Sequence, residues 1–247
     1  MPNAYPSTVT VGVGALTIEE VVAVARYGAT VEISAEALDE VASTRDRVEE
    51  LAQDPTPVYG ISTGFGALAR RHIPEEMRAQ LQLSLVRSHA AGTGPEVEEE
   101  VIRALMLLRL STLCTGRTGV RPVVVETYAK ALNAGIVPVV REYGSLGCSG
   151  DLAPLAHCAL ALLGEGEVRV GGELKDADEA LAAAGIEPLE LREKEGLALI
   201  NGTDGMLGQL CLAITDLRAA AKTADIATAM TVEGLLGTLV VFADDLQ

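Results

Sequence analysis

A mainly α fold, in which a helical domain with one small β-hairpin leads into the long helices of a bundle, is predicted by three observations. The chain is 49% hydrophobic yet only 3% aromatic and lacks Trp, so its core must come from Ala, Leu, Val and Ile, which suit packed helices. Capping residues and apolar positions at helical spacing recur along most of the chain. Only one segment carries a clear strand pattern. With 247 residues, the chain is long enough to bury a substantial core.

Thr17 and Glu20 form a T-x-x-E capping box ahead of Val21, Val22 and Val24, so a helix is expected from there to Gly28. Ser34 can cap a second helix that places Leu38, Val41, Val48 and Leu51 on one face and ends at Pro55 and Pro57. Tyr59 to Gly66 is too rich in Gly for a helix interior and reads as a shaped loop. Helical patterns resume over Gln80 to Ala91, Pro95 to about Cys114, and Pro122 to Asn133, the last closed by Gly135. Asp151 can cap a helix through Leu155, Ala159 and Leu162, and Val168 to Leu174 reads as a hairpin turning at Gly171-Gly172. From Thr203 onward there is no Pro, and Leu207, Leu210, Cys211, Ile214, Leu217 and Ala221 follow helical spacing. The end, Phe242 to Gln247, lies in this amphipathic region without a Gly or Pro stop, so the bundle is expected to be cut short.

Nineteen basic against 35 acidic residues give a net charge of -16, which disfavours nucleic acid and anionic membranes as partners. The first 18 residues are uncharged but are interrupted by Pro2, Asn3, Pro6, Ser7 and Thr8, so no signal peptide is expected. Elsewhere the longest uncharged stretch is the 13 residues from Leu152 to Gly164, too short for a membrane span, and a cytoplasmic location is expected. Cys114, Cys148, Cys158 and Cys211 form no CxxC pair and read as core thiols. His72, His89 and His157 show no metal-ligand spacing, so no metal is expected.

The most informative segment runs from Gly144 to His157, Gly-Ser-Leu-Gly-Cys-Ser-Gly-Asp-Leu-Ala-Pro-Leu-Ala-His. A hydrolase elbow, G-x-S-x-G, fails because Asp151 stands where the final Gly belongs. A phosphate nest is opposed by the charge of Asp151. A tight turn with Asp151 as N-cap is the plain structural alternative.

As a whole, the fourteen residues closely resemble the signature of the aromatic amino acid ammonia-lyases that carry a methylidene-imidazolone group. Three further segments are similar to that family, in its order: Val58 to Gly66 resembles its Tyr loop, Ser88 to Gly94 its selectivity segment, and Gly196 to Asp204 its Asn-Gly-Thr segment. The resemblance implies that residues 1–202 are the cofactor-forming domain and 203–247 the start of the central helical bundle. It implies that Cys148, Ser149 and Gly150 cyclise into the 4-methylidene-imidazol-5-one: the Gly150 amide nitrogen attacks the Cys148 carbonyl, and Ser149 loses its hydroxyl as water. Close backbone approach of this kind suits a residue without a Cβ. The family usually has Ala at the first position, and Cys148 reads there as a small apolar filler, with nothing basic nearby to activate it.

By the same resemblance Tyr59 takes the substrate's β-proton, which requires a phenol pKa brought down from about 10. By itself Tyr59 could equally be packed at a loop edge. Ser88-His89 matches the histidine-specific members, which convert L-histidine to urocanate and ammonia; phenylalanine-specific relatives have Phe-Leu there and tyrosine-specific ones His-Leu. An imidazole can hydrogen-bond a polar substrate ring, although a lone His could also be a satisfied semi-buried residue. Asn201 is assigned to the cofactor and the substrate amine, its plain alternative being an Asn-Gly turn. Gly116 to Pro122 looks like a further family segment that shapes the pocket, while His72 and His157 are expected to serve structure or surface.

Family members are about twice as long. Their second half supplies an Arg for the substrate carboxylate, a further Tyr, and acidic or Gln side chains at the ring. They are homotetramers with composite sites, so the expected partners are L-histidine and either further copies of the chain or a separate C-terminal-half chain. Two other functions compete: a phenylalanine or tyrosine lyase or aminomutase with the same cofactor, disfavoured by Ser88-His89, and an inactive scaffold that binds a partner through its apolar helix face.

Overall fold

A computed structural model describes residues 5–146 and 150–246. The N-terminal part alternates strand and helix: β1 (Thr8–Val11), α1 (Ile18–Tyr27), β2 (Thr30–Ile33) and α2 (Ala35–Gln53). β1 and β2 pair in parallel and bury Val9, Val11 and Val31. These four-residue strands have no counterpart in the sequence reading, because so few residues leave the alternation too short to stand out. The capping box forms as expected. Thr17 Oγ1 accepts the Glu20 N–H, the Glu20 carboxylate accepts the Thr17 N–H at 2.7 Å, and Gly28 closes α1 in the left-handed region at φ 67°. Ser34 caps α2.

α3 (Glu75–His89) begins before the expected Gln80, because Pro74 sets its start and Glu75 and Glu76 favour its first turn. It stops at His89 rather than Ala91. The next helix, α4 (Glu99–Cys114), does not start at Pro95: Thr93–Glu96 is a strand, β3, antiparallel to β5 (Arg141–Tyr143). Pro95 therefore sits in an edge strand, where its missing N–H is tolerated. α5 (Pro122–Asn133) has the expected bounds. β4 (Ile136–Pro138), β6 (Glu167–Val170) and β7 (Glu173–Asp176) form an antiparallel sheet in the order β4-β6-β7, with the hairpin turning at Gly171 and Gly172, both at positive φ. Between them lies α6 (Leu152–Leu162), and α7 (Ala177–Ala183), α8 (Glu195–Ile200) and α9 (Asp204–Gly234) complete the α-helices among the described residues.

α4 is the axis of the core, with Ile102, Leu105, Leu107, Leu110 and Leu113 all buried. The first turns of α9 lie along it so closely that a Cβ on Gly208 would stand 3.0 Å from the Ala104 methyl. By length and composition alone, Glu195–Gly234 could cross a membrane. The stretch is broken between α8 and α9, however, and α9 opens with the buried Asp204. The expected apolar stripe is on α9, with Cys211 buried and Leu207, Leu210 and Leu217 exposed. The helix does not continue through Phe242: it ends at Gly234, and the Gly237 N–H returns to Val232 O at 2.7 Å, so a glycine stop lies upstream of Phe242.

Candidate active site

Tyr59, Ser88, His89 and Asn201, four of the residues singled out in the sequence, line one cavity of about 600 Å³. Ser88 and His89 also border an adjoining cavity of about 310 Å³ whose wall includes Gly150 and Gly144. Gly150 thus lines a cavity that shares Ser88, His89 and Leu152 with the first. Cys148 and Ser149 lie outside the described residues.

The loop carrying Tyr59 is held by its own hydrogen bonds. Val58 O accepts the N–H groups of Ile61, Ser62 and Thr63 at 3.0–3.2 Å, and the Val58 N–H donates to Ser62 Oγ at 2.9 Å. Ser62 and Thr63 are buried, which leaves the Tyr59 ring, half exposed, edge-on to Phe65 at the cavity mouth. Gly60 is left-handed at φ 72°, and a Cβ there would press on Leu197 Cδ2 at 2.9 Å, so the loop lies directly on α8.

His89 ends α3. Its Nδ1 lies 2.8 Å from Leu85 O, and because a carbonyl can only accept, Nδ1 carries the proton. In the neutral ring this tautomer leaves Nε2 as the nitrogen that can accept an N–H. Ser88 Oγ also donates to Leu85 O at 2.9 Å.

Asn201 closes α8, whose other end is anchored on the fully buried Glu195 carboxylate. That carboxylate accepts from the Arg121 guanidinium at 2.8 and 2.9 Å and from the Arg121 and Arg192 backbone N–H groups. The hydrogen bonds to Glu195 hold the Arg121 guanidinium above its ordinary pKa. This gives the segment from Gly116 to Pro122 a definite place: it anchors the helix that delivers Asn201. Gln82, fully buried in α3, accepts the Leu197 N–H at 3.2 Å and reaches Gly60 O at 3.5 Å. It therefore links the Tyr59 loop, α8 and the helix of His89. Nothing in the sequence around Gln82 or Glu195 signals these roles, and Arg121 stands out there only as part of the Gly116 to Pro122 segment, because the partners lie far apart in the chain and meet only in the fold.

Asp151 departs from expectation. It precedes α6, but its side chain makes no cap there. Fully buried, it instead accepts from Ser145 Oγ at 2.5 Å and from the Met206 N–H of α9 at 3.0 Å. Its own N–H donates to Gly202 O at 2.5 Å. Beside it, a Cβ on Gly150 would stand 2.7 Å from Gly202 O and 3.0 Å from Gly202 N, so only glycine fits this approach.

His157 Nε2 accepts the Gly92 N–H at 3.1 Å and pins the segment after His89, a structural role as expected. Burial and then the nearby Arg141 cation hold its pKa below 6.5. Cys114 and Cys158 are buried thiols pushed up to about 12, and Cys211 is buried and shifted upward, all by desolvation. Such thiols are inert. Among the described residues no three His, Cys, Asp or Glu side chains cluster as metal ligands.

The profile of the aromatic amino acid lyase family matches residues 16–247. Histidine ammonia-lyase of Streptomyces griseus is 63% identical over 97% of the chain, which corresponds to 47% of that protein. The MIO-dependent tyrosine 2,3-aminomutase of Streptomyces globisporus is 45% identical over 90% of the chain and 41% of its own length. Among solved structures, histidine ammonia-lyase from Trypanosoma cruzi superposes with a TM-score of 0.87 at 39% identity, covering 94% of this chain and 44% of that one. The chain spans about half the length of the curated relatives it matches.

Proposed function

Because this chain belongs to the aromatic amino acid lyase family, we propose that it is the cofactor-forming half of a histidine ammonia-lyase, which eliminates ammonia from L-histidine to give urocanate. One observation carries the reading beyond family likeness: Tyr59, His89 and Asn201 share a cavity, and His89 also borders the cavity wall that contains Gly150.

The residues present fit a methylidene-imidazolone formed from Cys148-Ser149-Gly150, since the tight approach of Gly150 to Gly202 admits no side chain. When formed, the group supplies an electrophile that makes the poorly leaving α-amine departable. The other duties fall to this chain's side chains. Tyr59, at the cavity mouth, is assigned removal of the β-proton as its phenolate. With Nδ1 bonded to Leu85 O, Nε2 of the neutral His89 ring is assigned to accept the N–H of the substrate imidazole, and Asn201 to hydrogen-bond at the amine. Leu85, Leu197 and Phe65 give the cavity an apolar lining.

The remaining half of the site, including the Arg for the substrate carboxylate, is assigned to the polypeptide that the relatives have in addition, whether continuous with these residues or supplied as a separate chain. The similarity to an aminomutase sustains lyase-versus-mutase as the second reading; Ser88-His89 favours histidine as the substrate. The test is to assay urocanate formation by its absorbance, with the chain alone and with the corresponding C-terminal half co-expressed. We expect turnover only in the second case. Conversion of tyrosine to its β-isomer without urocanate would replace the lyase reading, and robust urocanate formation by the chain alone would remove the half-site reading.

A further inference from the structure

We propose that the buried ion pair Arg109–Asp204 is a positioning device for cofactor formation, clamping the Gly202 peptide against Gly150, the residue whose nitrogen closes the ring. The inference rests on the reading that this chain forms the methylidene-imidazolone.

Arg109 lies in α4 and Asp204 is the first residue of α9, and both are buried. The guanidinium pairs with Asp204 Oδ2 and donates from Nη1 to Ala198 O in α8 at 3.2 Å, while Thr112 Oγ1 donates to Asp204 Oδ1 at 3.0 Å. One side chain therefore ties together three helices around the Asn201-Gly202-Thr203 link. The pair also touches that link. A Cβ on Gly202 would collide with Arg109 Nη2 and with Asp204 Oδ2, so the charged groups rest directly on the Gly202 Cα. Gly150 in turn approaches Gly202 too closely for a side chain, and Gly202 O holds the Asp151 N–H at 2.5 Å. The order is ion pair, Gly202, Gly150, with each layer in contact with the next.

Stability alone does not account for the arrangement. A buried ion pair is often matched or exceeded in stability by apolar side chains of similar volume. Arg109 Nε is moreover buried with no hydrogen-bond partner, a cost that an apolar replacement would not carry. What an apolar pair would not reproduce is a planar group held by directed hydrogen bonds against one particular peptide.

Ring closure depends on such placement. The Gly150 nitrogen bonds to the Cys148 carbonyl carbon, and that carbonyl oxygen leaves as water with one hydrogen from the Gly150 nitrogen and one from the Ser149 nitrogen. The Ser149 hydroxyl then leaves as a second water with the hydrogen of its own Cα. No oxidant or reductant is involved. Gly202 bears on the reacting residue, and the ion pair fixes Gly202.

The test is the intact mass, followed over time after synthesis and mapped to the peptide containing Gly150. It compares the 247-residue chain with Arg109→Lys, with the double variant Arg109→Met/Asp204→Met, and with Leu181→Ala, a buried position in α7. The double variant removes both charges and leaves neither unpaired, which preserves folding; helical circular dichroism and cooperative urea unfolding confirm it for each protein. We expect the unsubstituted chain and Leu181→Ala to lose two waters at the same rate. Arg109→Lys and the double variant should cyclise on the order of 100-fold more slowly, the effect of a small misplacement of reacting groups. A folded double variant that cyclises at the unsubstituted rate overturns the proposal, and so does equal slowing in Leu181→Ala, which would show that overall stability alone governs closure. An unsubstituted chain that folds but keeps its full mass would instead defeat the cofactor reading itself, and the clamp with it.

Discussion

The two ends of α9 belong to one continuous helix but live in different surroundings. Its first turns bury Asp204, Gly205, Gly208, Cys211 and Leu212 against α4, and small residues let the two backbones approach. Past Leu212 the same helix keeps its apolar content yet exposes it: Leu217 is 67% exposed and Met230 68%. Side-chain hydrophobicity is similar at both ends, so it does not decide which is buried. The difference is the neighbour: the first turns pack on α4, whereas past Leu212 α9 meets α1 through the charged pairs of Asp216 with Arg26 and Arg218 with Glu19. The buried end is where α9 meets the candidate site, through the Met206 N–H bond to Asp151 and the Arg109–Asp204 pair. The far end presents Ile226 and Met230 as exposed apolar side chains among the described residues.

Two substitutions sharpen this comparison most. Leu105 is fully buried and packs against Gly205 of α9, so Leu105→Ala should destabilise the fold by about 2–5 kcal/mol in urea unfolding. Leu217→Ser, at the exposed end, should stay within about 0.5 kcal/mol of the parent. A large loss at Leu217 would mean that the face is already covered, by self-association or otherwise, and sedimentation would reveal it.

The fold was largely legible where local chemistry speaks for itself. The capping box at Thr17, the cap at Ser34, the Pro122 start and the Gly171-Gly172 hairpin all depend on residues within a few positions of each other. The short parallel strands and the Thr93–Glu96 strand were not, because their partners are distant in sequence and Pro95 imitates a helix start. The site divides in the same way. Tyr59, His89 and Asn201 stand in motifs that resemble a known family, whereas Gln82, Glu195 and Arg109 matter only through partners that the fold brings to them. Asp151 shows how a local rule can mislead: it occupies an N-cap position, but its carboxylate serves another helix.

Smaller effects are expected from the groups that shape the cavity. In a complemented, active complex, His89→Leu removes an acceptor for the substrate ring and should cost histidine turnover about 1–3 kcal/mol in kcat/KM. Equal losses for histidine, phenylalanine and tyrosine would show that His89 does not read the ring. Gln82→Leu keeps the volume but cuts the link between the Tyr59 loop and α8. Its partners lose about 1–3 kcal/mol of stability with a buried N–H left unpaired. Gln82→Glu, which retains an acceptor for Leu197, should recover part of that loss; no recovery would assign the effect to packing.

The smallest predicted effect is a pH dependence arising at His157. Its folded pKa lies below 6.5, because burial disfavours the imidazolium and Arg141 repels it, while its neutral Nε2 accepts the Gly92 N–H. The unfolded chain therefore takes up this proton at a higher pH than the folded one. Stability from the neutral His157 is fully present above about 6.5, falls as the pH drops through the interval down to the lowered folded value, and is gone below it. Carboxylates held low by arginines, such as Glu96 beside Arg169, act in the same direction but begin near their own unfolded values, at lower pH. His157→Gln separates the two contributions: its amide oxygen can still accept the Gly92 N–H, but it does not titrate. Urea midpoints measured at steps between pH 7.5 and 5 should diverge, with the parent losing stability relative to the variant as acid is added. Parallel curves for the two proteins would show that His157 is as easily protonated in the folded chain as in the unfolded one, and that the bond to Gly92 does not depend on a neutral ring.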